Sequence, residues 1–554
     1  MQQISLQSLL TMFFLTVFAT QSHAAGMFVS EVSTHAKSRG GALIANPRAP
    51  SAAWLNPAAL ALLKGTQLQL HLNAVGLNSS FKRNCGTATR GCGPANVKRT
   101  YGDSTFIQDG EGRSPIDENA DPPSYPAQEG YLGQLNHPSD FSDGHTVTNQ
   151  NPWMAVPTMF ASFSGAYFNV PNLTLAVSFS ASSSNNSNYG VDEYTRYTLV
   201  KKDLIGGYYG MSAAYQLTSW LAIGGSFQGQ TLGTNQSVTI SADPLGIENP
   251  DADVLVDVDI IKHGIPTGNV GLWLSPYKGV ELGFSYQHGA EAELSGPVKV
   301  SLGPDLQDLV DNGLLALEED EGGGMAYASM VQPAMARGGL LINTAQLFNM
   351  PLDIDVELAG VYEMWSVLTH LPLRIEGLAM QAGSGDPEPF DPIVMPKDYQ
   401  DAYSIRLGTE WRLLQKTLAL SAGAFYESSA IPNETLSVDT IDGDKYGTGL
   451  GVAYQLGNVN LELAYQGIFF DERVVGDESI VHNVNVMEKP QIGAIHENGS
   501  TRVAMGTYNA TYHIVSVGIT GVFGAAPQST TPLSSQTVSP AVGTGFDNVT
   551  IDKE

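Results

Sequence analysis

Residues 280–287 read VELGFSYQ. Successive residues of a β-strand point to opposite faces, so Val280, Leu282, Phe284 and Tyr286 share one face and Glu281, Gly283, Ser285 and Gln287 the other. The pattern recurs in both directions along the chain. Leu352, Ile354, Val356 and Leu358 oppose Asp353, Asp355 and Glu357, and Leu68, Leu70 and Leu72 oppose Gln69, His71 and Asn73. A soluble β-sandwich also alternates. Many of these runs are longer, however, than the roughly five or six residues of a globular strand. They approach the ~9–11 that a tilted strand needs to cross a bilayer. The stretch reads as a wall with lipid on one side and a wet lumen on the other.

The joints between strands support a closed barrel. Tight turns fall at Asn169 to Pro171, Thr218 to Ser219, Ser275 to Lys278, Phe348 to Pro351, Leu414 to Lys416 and Gly457 to Asn458. The remaining joints are long and polar, near 82–154, 183–204, 235–265, 301–330, 372–400, 429–444 and 472–507. Short turns on one side and long loops on the other characterise an outer-membrane antiparallel β-barrel, here of about 14 strands. Tyr167, Tyr215, Trp220, Tyr277, Trp411 and Tyr454 lie near short turns, and Tyr426, Tyr465, Phe469 and Phe470 toward loops, as interfacial aromatic girdles do.

Targeting agrees. Leu9 to Phe18 form an apolar core and Ser22-His23-Ala24 a small-x-small cleavage site, so residues 1–24 read as a signal peptide and Ala25 as the mature start. The net charge of −28 argues against nucleic acid as a partner. Its bland source is acidic outer loops, with lipopolysaccharide as the lipid they meet. Cys85 and Cys92, the only cysteines, lie in the first long loop and are expected to pair in an oxidising compartment. No histidine pair has metal spacing, and Gly224-Gly225-Ser226-Phe227-Gln228 breaks the Gly-x-Ser-x-Gly nucleophile elbow at its last position. No catalytic residues, metal or cofactor are expected.

A barrel of this girth is too wide for its own side chains to fill. Residues 25–65 precede the first strand, lack period-2 alternation and are rich in Gly, Ala, Ser and Pro, as a plug would be. Trp54 stands beside the turn-forming Asn56-Pro57-Ala58, which leads into a short helical stretch. The organisation expected is therefore a plug over 25–65, a barrel over 66–524 with long extracellular loops, and a Ser/Thr/Pro-rich, disordered periplasmic tail over 525–554.

At these residues the sequence resembles the FadL family of outer-membrane long-chain fatty-acid and hydrocarbon transporters. Ala25-Gly26, Glu31, Arg39 and Asn56-Pro57-Ala58 look like that family's amino-terminal hatch. Ala155-Val156-Pro157 opening the second strand, Trp365 in the ninth, Asp401-Ala402-Tyr403 with Gly408, and Ser428 to Pro432 after the eleventh are similar in order. The family's last strand usually ends the protein; here Val515, Val517, Ile519, Gly521 and Phe523 form an outward stripe, and about thirty residues follow.

The resemblance implies a monomeric diffusion channel, not an enzyme. A long-chain fatty acid or hydrocarbon is captured in an outer groove, passes to an interior pocket, displaces the hatch and leaves sideways near a kinked third strand. Asp305 to Leu317, with Leu306, Leu309, Val310, Leu314 and Leu317 apolar, reads as an amphipathic helix that could form the groove. Phe28 and Val29 are the candidates for the pocket, Glu31 and Arg39 for gating, with Asp353, Asp355 and Glu357 as partners. A carboxylate ligand would need a lumen cation such as Arg337, Arg406 or Lys445. The alternatives are an outer-membrane hydrolase and a general porin.

Overall fold

The computed structural model describes residues 32–84, 145–181, 186–242, 250–320, 323–382, 385–390, 392–482 and 502–524. The expected signal peptide, Phe28, Val29, Glu31, Cys85, Cys92 and the tail over 525–554 lie outside the described residues.

Fourteen antiparallel strands form one closed barrel. In chain order they are β1 (Thr66–Arg83), β2 (Trp153–Ser164), β3 (Leu173–Ala181), β4 (Lys201–Thr218), β5 (Leu221–Ser241), β6 (Asp253–Tyr277) and β7 (Val280–Gln287). They continue as β8 (Met335–Asn343), β9 (Asp353–Glu363), β10 (Ala402–Leu413), β11 (Leu418–Glu427), β12 (Lys445–Leu456), β13 (Val459–Phe470) and β14 (Gly506–Phe523). Each pairs with its neighbour, and β1 closes the ring against β14 from Thr66↔Phe523 to Arg83↔Gly506. Closure leaves no sheet edge to satisfy in hydrocarbon.

The side-chain phase follows the sequence. Leu68, Leu70 and Leu72 are exposed and Gln69, His71 and Asn73 buried in the lumen. In β7, Glu281, Gly283, Ser285 and Gln287 face inward. The short turns sit where expected. Asn169 and Asn349 take left-handed backbone there, which asparagine tolerates better than most residues. Tyr167, Trp220 and Tyr277 stand exposed beside these turns.

Two readings change. Trp365 lies in a 3-10 turn after β9, not in it. The helix expected over 305–317 spans only Pro304–Asp311 (α3), because Gly313 takes a left-handed φ of 70° and ends it. The chain then runs as a strand, Leu315–Glu319, against Leu378–Ala382.

β6 is 25 residues long, roughly 80 Å at ~3.3 Å per residue, so its outer part stands well clear of a ~30 Å hydrocarbon layer. There β5, β6, the continuation of β7 (Ala290–Leu302) and the start of β8 (Met325–Gln332) form an extracellular sheet, widened by His370–Glu376 and Ile393–Pro396. Its inner face carries Leu232, Ile240, Val254, Val256, Leu294 and Ile375, all buried.

Candidate functional site

The lumen is filled by residues 32–63. Helix α1 (Thr34–Ser38) is capped by Ser33, whose hydroxyl accepts the Ala36 N–H. It ends at Gly40 and Gly41, both at positive φ. Gly40 is required here: a Cβ would sit 2.9 Å from the Ala424 nitrogen. The chain then passes through α2 (Ala52–Leu55) and a 3-10 helix (Pro57–Leu62) into β1. Asn56 caps that helix by accepting the Ala58 N–H, and its amide donates to the Ile44 and Leu272 carbonyls at 3.1 and 3.2 Å. Pro57 at the first helical position has no N–H to leave unpaired.

Polar side chains of the wall satisfy this irregular segment. Thr158 donates to the Val32 carbonyl, Ser226 to Ala53, Asn269 to Trp54 and Ser285 to Leu55, at 2.7–3.0 Å. Gln69 accepts the Ser51 N–H at 2.8 Å. Buried backbone polar groups need such partners, and the five polar side chains named here come one each from β1, β2, β5, β6 and β7. The segment is thereby fixed from several directions at once.

Arg39 is buried, with Nη2 3.5 Å from Oε2 of Glu357. The other Glu357 oxygen accepts the backbone N–H groups of Ile44 at 2.5 Å and Ala45 at 2.8 Å. Asp353 and Asp355 instead bind Arg412, and Asp355 also faces Arg48 at 3.4 Å. Two further acidic contacts went unread in the sequence: Glu281 accepts from Asn46 at 2.5 Å, and His35 lies 2.6 Å from Glu410.

Glycines on the lumen face let backbone meet backbone. A Cβ on Gly283 would fall 2.3 Å from the Ile44 carbonyl oxygen, on Gly423 2.1 Å from that of Arg39, and on Gly449 2.0 Å from that of Lys37. The signal was present, since each glycine stands in the inward phase of its strand, but phase alone does not reveal what the glycine faces.

The three lumen cations differ. Arg406 is paired with Glu427 at 2.8 Å, and Lys445 with Asp442 at 2.7 Å. Among the described residues, Arg337 has no acid in contact. Its guanidinium lies 5.4 Å from the Trp54 ring centre, and Nη1 reaches the Trp54 carbonyl only at 3.5 Å. Nη2 is buried without a hydrogen-bond partner among the described residues. Trp54 packs in turn on Tyr208, ring centres 4.6 Å apart.

Of the expected groove residues, Leu306 is buried in the extracellular apolar cluster, with Leu309 and Val310 packed beside it. Leu317 stands opposite Met380, and Leu314 is exposed. At the wall, β3 pairs with β4 from Leu173↔Tyr215 to Ala181↔Gly207, and residues 186–188 pair with the outer end of β4 from Asn186↔Asp203 to Asn188↔Lys201.

The sequence profile described as "Outer membrane protein transport protein (OMPP1/FadL/TodX)" matches residues 15–513. No curated protein matches the chain. Among solved structures, a FadL homologue of Pseudomonas aeruginosa superposes with a TM-score of 0.64 at 17% identity, covering 90% of this chain and 100% of that one. The Pseudomonas putida toluene transporter TodX gives 0.55 at 13%, with 91% and 100% covered. The Ralstonia pickettii toluene transporter TbuX gives 0.52 at 14%, with 88% and 97% covered. At these identities the likeness establishes the fold.

Proposed function

Since the chain belongs to the OMPP1/FadL/TodX family of outer-membrane transport proteins, we propose that it admits long-chain fatty acids across the outer membrane. The observation that carries the carboxylate part of this reading is Arg337. A buried guanidinium with an unpartnered nitrogen suits a charge-assisted bond to a carboxylate, while a hydrocarbon such as toluene offers it nothing.

The route proposed has four stages. The alkyl chain is first held by the extracellular cluster around Leu306, because each CH₂ left in water costs about 0.8 kcal/mol. It then passes to an interior pocket, with the carboxylate on Arg337 and Trp54, and with Phe28 and Val29 as the hatch side of that pocket. Glu31 and Arg39 gate the hatch, whose rearrangement frees the ligand. It leaves sideways through the wall beside β3. A general porin is disfavoured by a lumen filled by residues 32–63, and a hydrolase by the broken nucleophile elbow.

Mass spectrometry of lipids extracted from the purified, full-length protein tests the ligand class. Fatty acids are expected in wild type, and are expected to fall about tenfold in Arg337→Met, since a hydrogen bond to a charged group is worth roughly 1.5–3 kcal/mol. Enrichment of neutral hydrocarbons alone, in both proteins, would overturn the carboxylate reading.

A further inference from the structure

The outer mouth of the barrel is crossed by the chain joining β11 to β12, residues 428–444. Its root is rigid. Asp442 accepts the Ala430 N–H at 2.7 Å and the Ser429 hydroxyl at 3.0 Å, and Arg473 donates to the Ile431 carbonyl at 2.6 Å. Its middle is anchored by burial. Ala430, Ile431, Leu436 and Val438 pack with Phe81 of β1, Tyr508 of β14, Tyr189 and Tyr194 of the β3–β4 joint, and Trp365 and Tyr399 of the β9–β10 joint.

Its tip reaches the far wall. Asp439 Oδ1 lies 3.1 Å from Nζ of Lys202 on β4 and 3.3 Å from the Gln236 amide on β5; Oδ2 lies 2.9 Å from Nζ of Lys397. Lys202 also donates to the Asp439 backbone carbonyl. On a ring of fourteen strands, β4 and β11 are seven apart in either direction, so the segment spans a full diameter. Lys202 and Gln236 belong to that far wall and Lys202 is buried, whereas Lys397 stands just before β10, beside the root of the strap.

We propose that residues 428–444 are a second, outer gate: a strap that shuts the axial mouth and is latched at its tip by Asp439 between Lys202 and Lys397. The hatch at residues 32–63 and the strap then bound a lumen compartment from below and above. Polar solutes outside are excluded by the strap even while the hatch moves. The apolar cluster around Leu306 lies to one side of this axis, on the extended β5–β7 sheet, and does not need the strap to lift. The gate is independent of what the barrel carries.

The test uses the full-length protein with Cys85→Ser and Cys92→Ser, and a single probe, Ala510→Cys. Ala510 is a buried, lumen-facing residue of β14, two positions below Tyr508, whose hydroxyl reaches the Leu436 carbonyl of the strap. Intact cells are treated with a membrane-impermeant maleimide. Labelling is expected to be slow with the latch intact, and at least about tenfold faster in Asp439→Asn, as expected when a closed state loses its bias. The double change Lys202→Met/Lys397→Met should do the same, and heat-modifiable gel migration identifies folded barrel in each case. Fast labelling with the latch intact, or an unchanged rate in whichever latch variants fold, would overturn the gate while leaving the ligand reading untouched.

Discussion

Arg39 and Glu357 meet inside the filled lumen, guanidinium to carboxylate at 3.5 Å, with at most 1% of either side chain exposed. The separation is long for a strong ion pair, and the carboxylate is held as much by the Ile44 and Ala45 N–H groups as by Arg39. Glu357 is therefore the keystone and Arg39 one of three groups that lean on it.

A rank order follows. Glu357→Ala strips a partner from Arg39 and from two backbone N–H groups, whereas Arg39→Ala leaves the carboxylate with both amides. Breaking one side of a buried pair typically costs about 3–5 kcal/mol, and Glu357→Ala should lie at that end, with Arg39→Ala lower. The readout is sensitivity to a bulky hydrophilic antibiotic at matched protein levels. Equal sensitivity, or a larger effect from Arg39→Ala, would contradict the assignment.

Gly423→Ala should dislodge the hatch without dissolving the barrel. The new Cβ would fall 2.1 Å from the Arg39 carbonyl, so hatch or strand must move. Overpacking of this kind costs about 1–3 kcal/mol. Gly360→Ala is the control, because the nearest atom there is the Ser404 carbonyl oxygen at an ordinary 3.7 Å. Limited proteolysis from the periplasmic side should cut residues 32–63 faster in the first variant and at the wild-type rate in the second.

Some of this was legible in the sequence and some was not, for physical reasons. Period-2 alternation places VELGFSYQ and its relatives in a wall, and turn chemistry places Asn169 and Asn349 at the short joints, because both are local. The plug was visible as an absence of alternation. Its seat was not: that Gly423 faces Arg39, or that Glu357 rather than Asp353 or Asp355 faces the hatch, depends on register around a closed ring. The stripe over 305–317 misled because Leu314 and Leu317 fit helical spacing, yet Gly313 interposes a turn. The latch pairs residues far apart in sequence, Lys202, Lys397 and Asp439, and nothing in their local spacing marks them.

The strap has a defined acid limit. Burial alone would raise the Asp439 carboxyl, but the neighbouring Lys202 and Lys397 ammonium groups hold it well below its ordinary value of 3.8. A carboxyl depressed in the folded state contributes stability that is full above the unfolded value and is lost as pH falls through the folded one. Nearby Tyr399, pushed up to about 12 chiefly by burial, stays neutral throughout. Hydrogen exchange in the strap, corrected for intrinsic rates, should be equally protected at about pH 8 and pH 5. Loss of protection near pH 5 would contradict an Asp439 latch.

Arg337→Met should separate ligand classes. Uptake of a long-chain fatty acid is expected to fall about tenfold, the scale of one charge-assisted bond, with uptake of a neutral hydrocarbon unchanged. Parallel loss of both would make Arg337 a packing residue on Trp54 rather than a reader of carboxylates.

The central claim is that this barrel moves a hydrophobic acid inward through a plugged lumen. Cells lacking their own long-chain fatty-acid uptake, producing the full-length protein in the outer membrane, should accumulate isotope-labelled oleate faster than vector controls. The uptake should saturate, and should fall when Arg337→Met replaces wild type. Oleate accumulation equal to the vector control, with folded barrel demonstrably in the outer membrane, would contradict it.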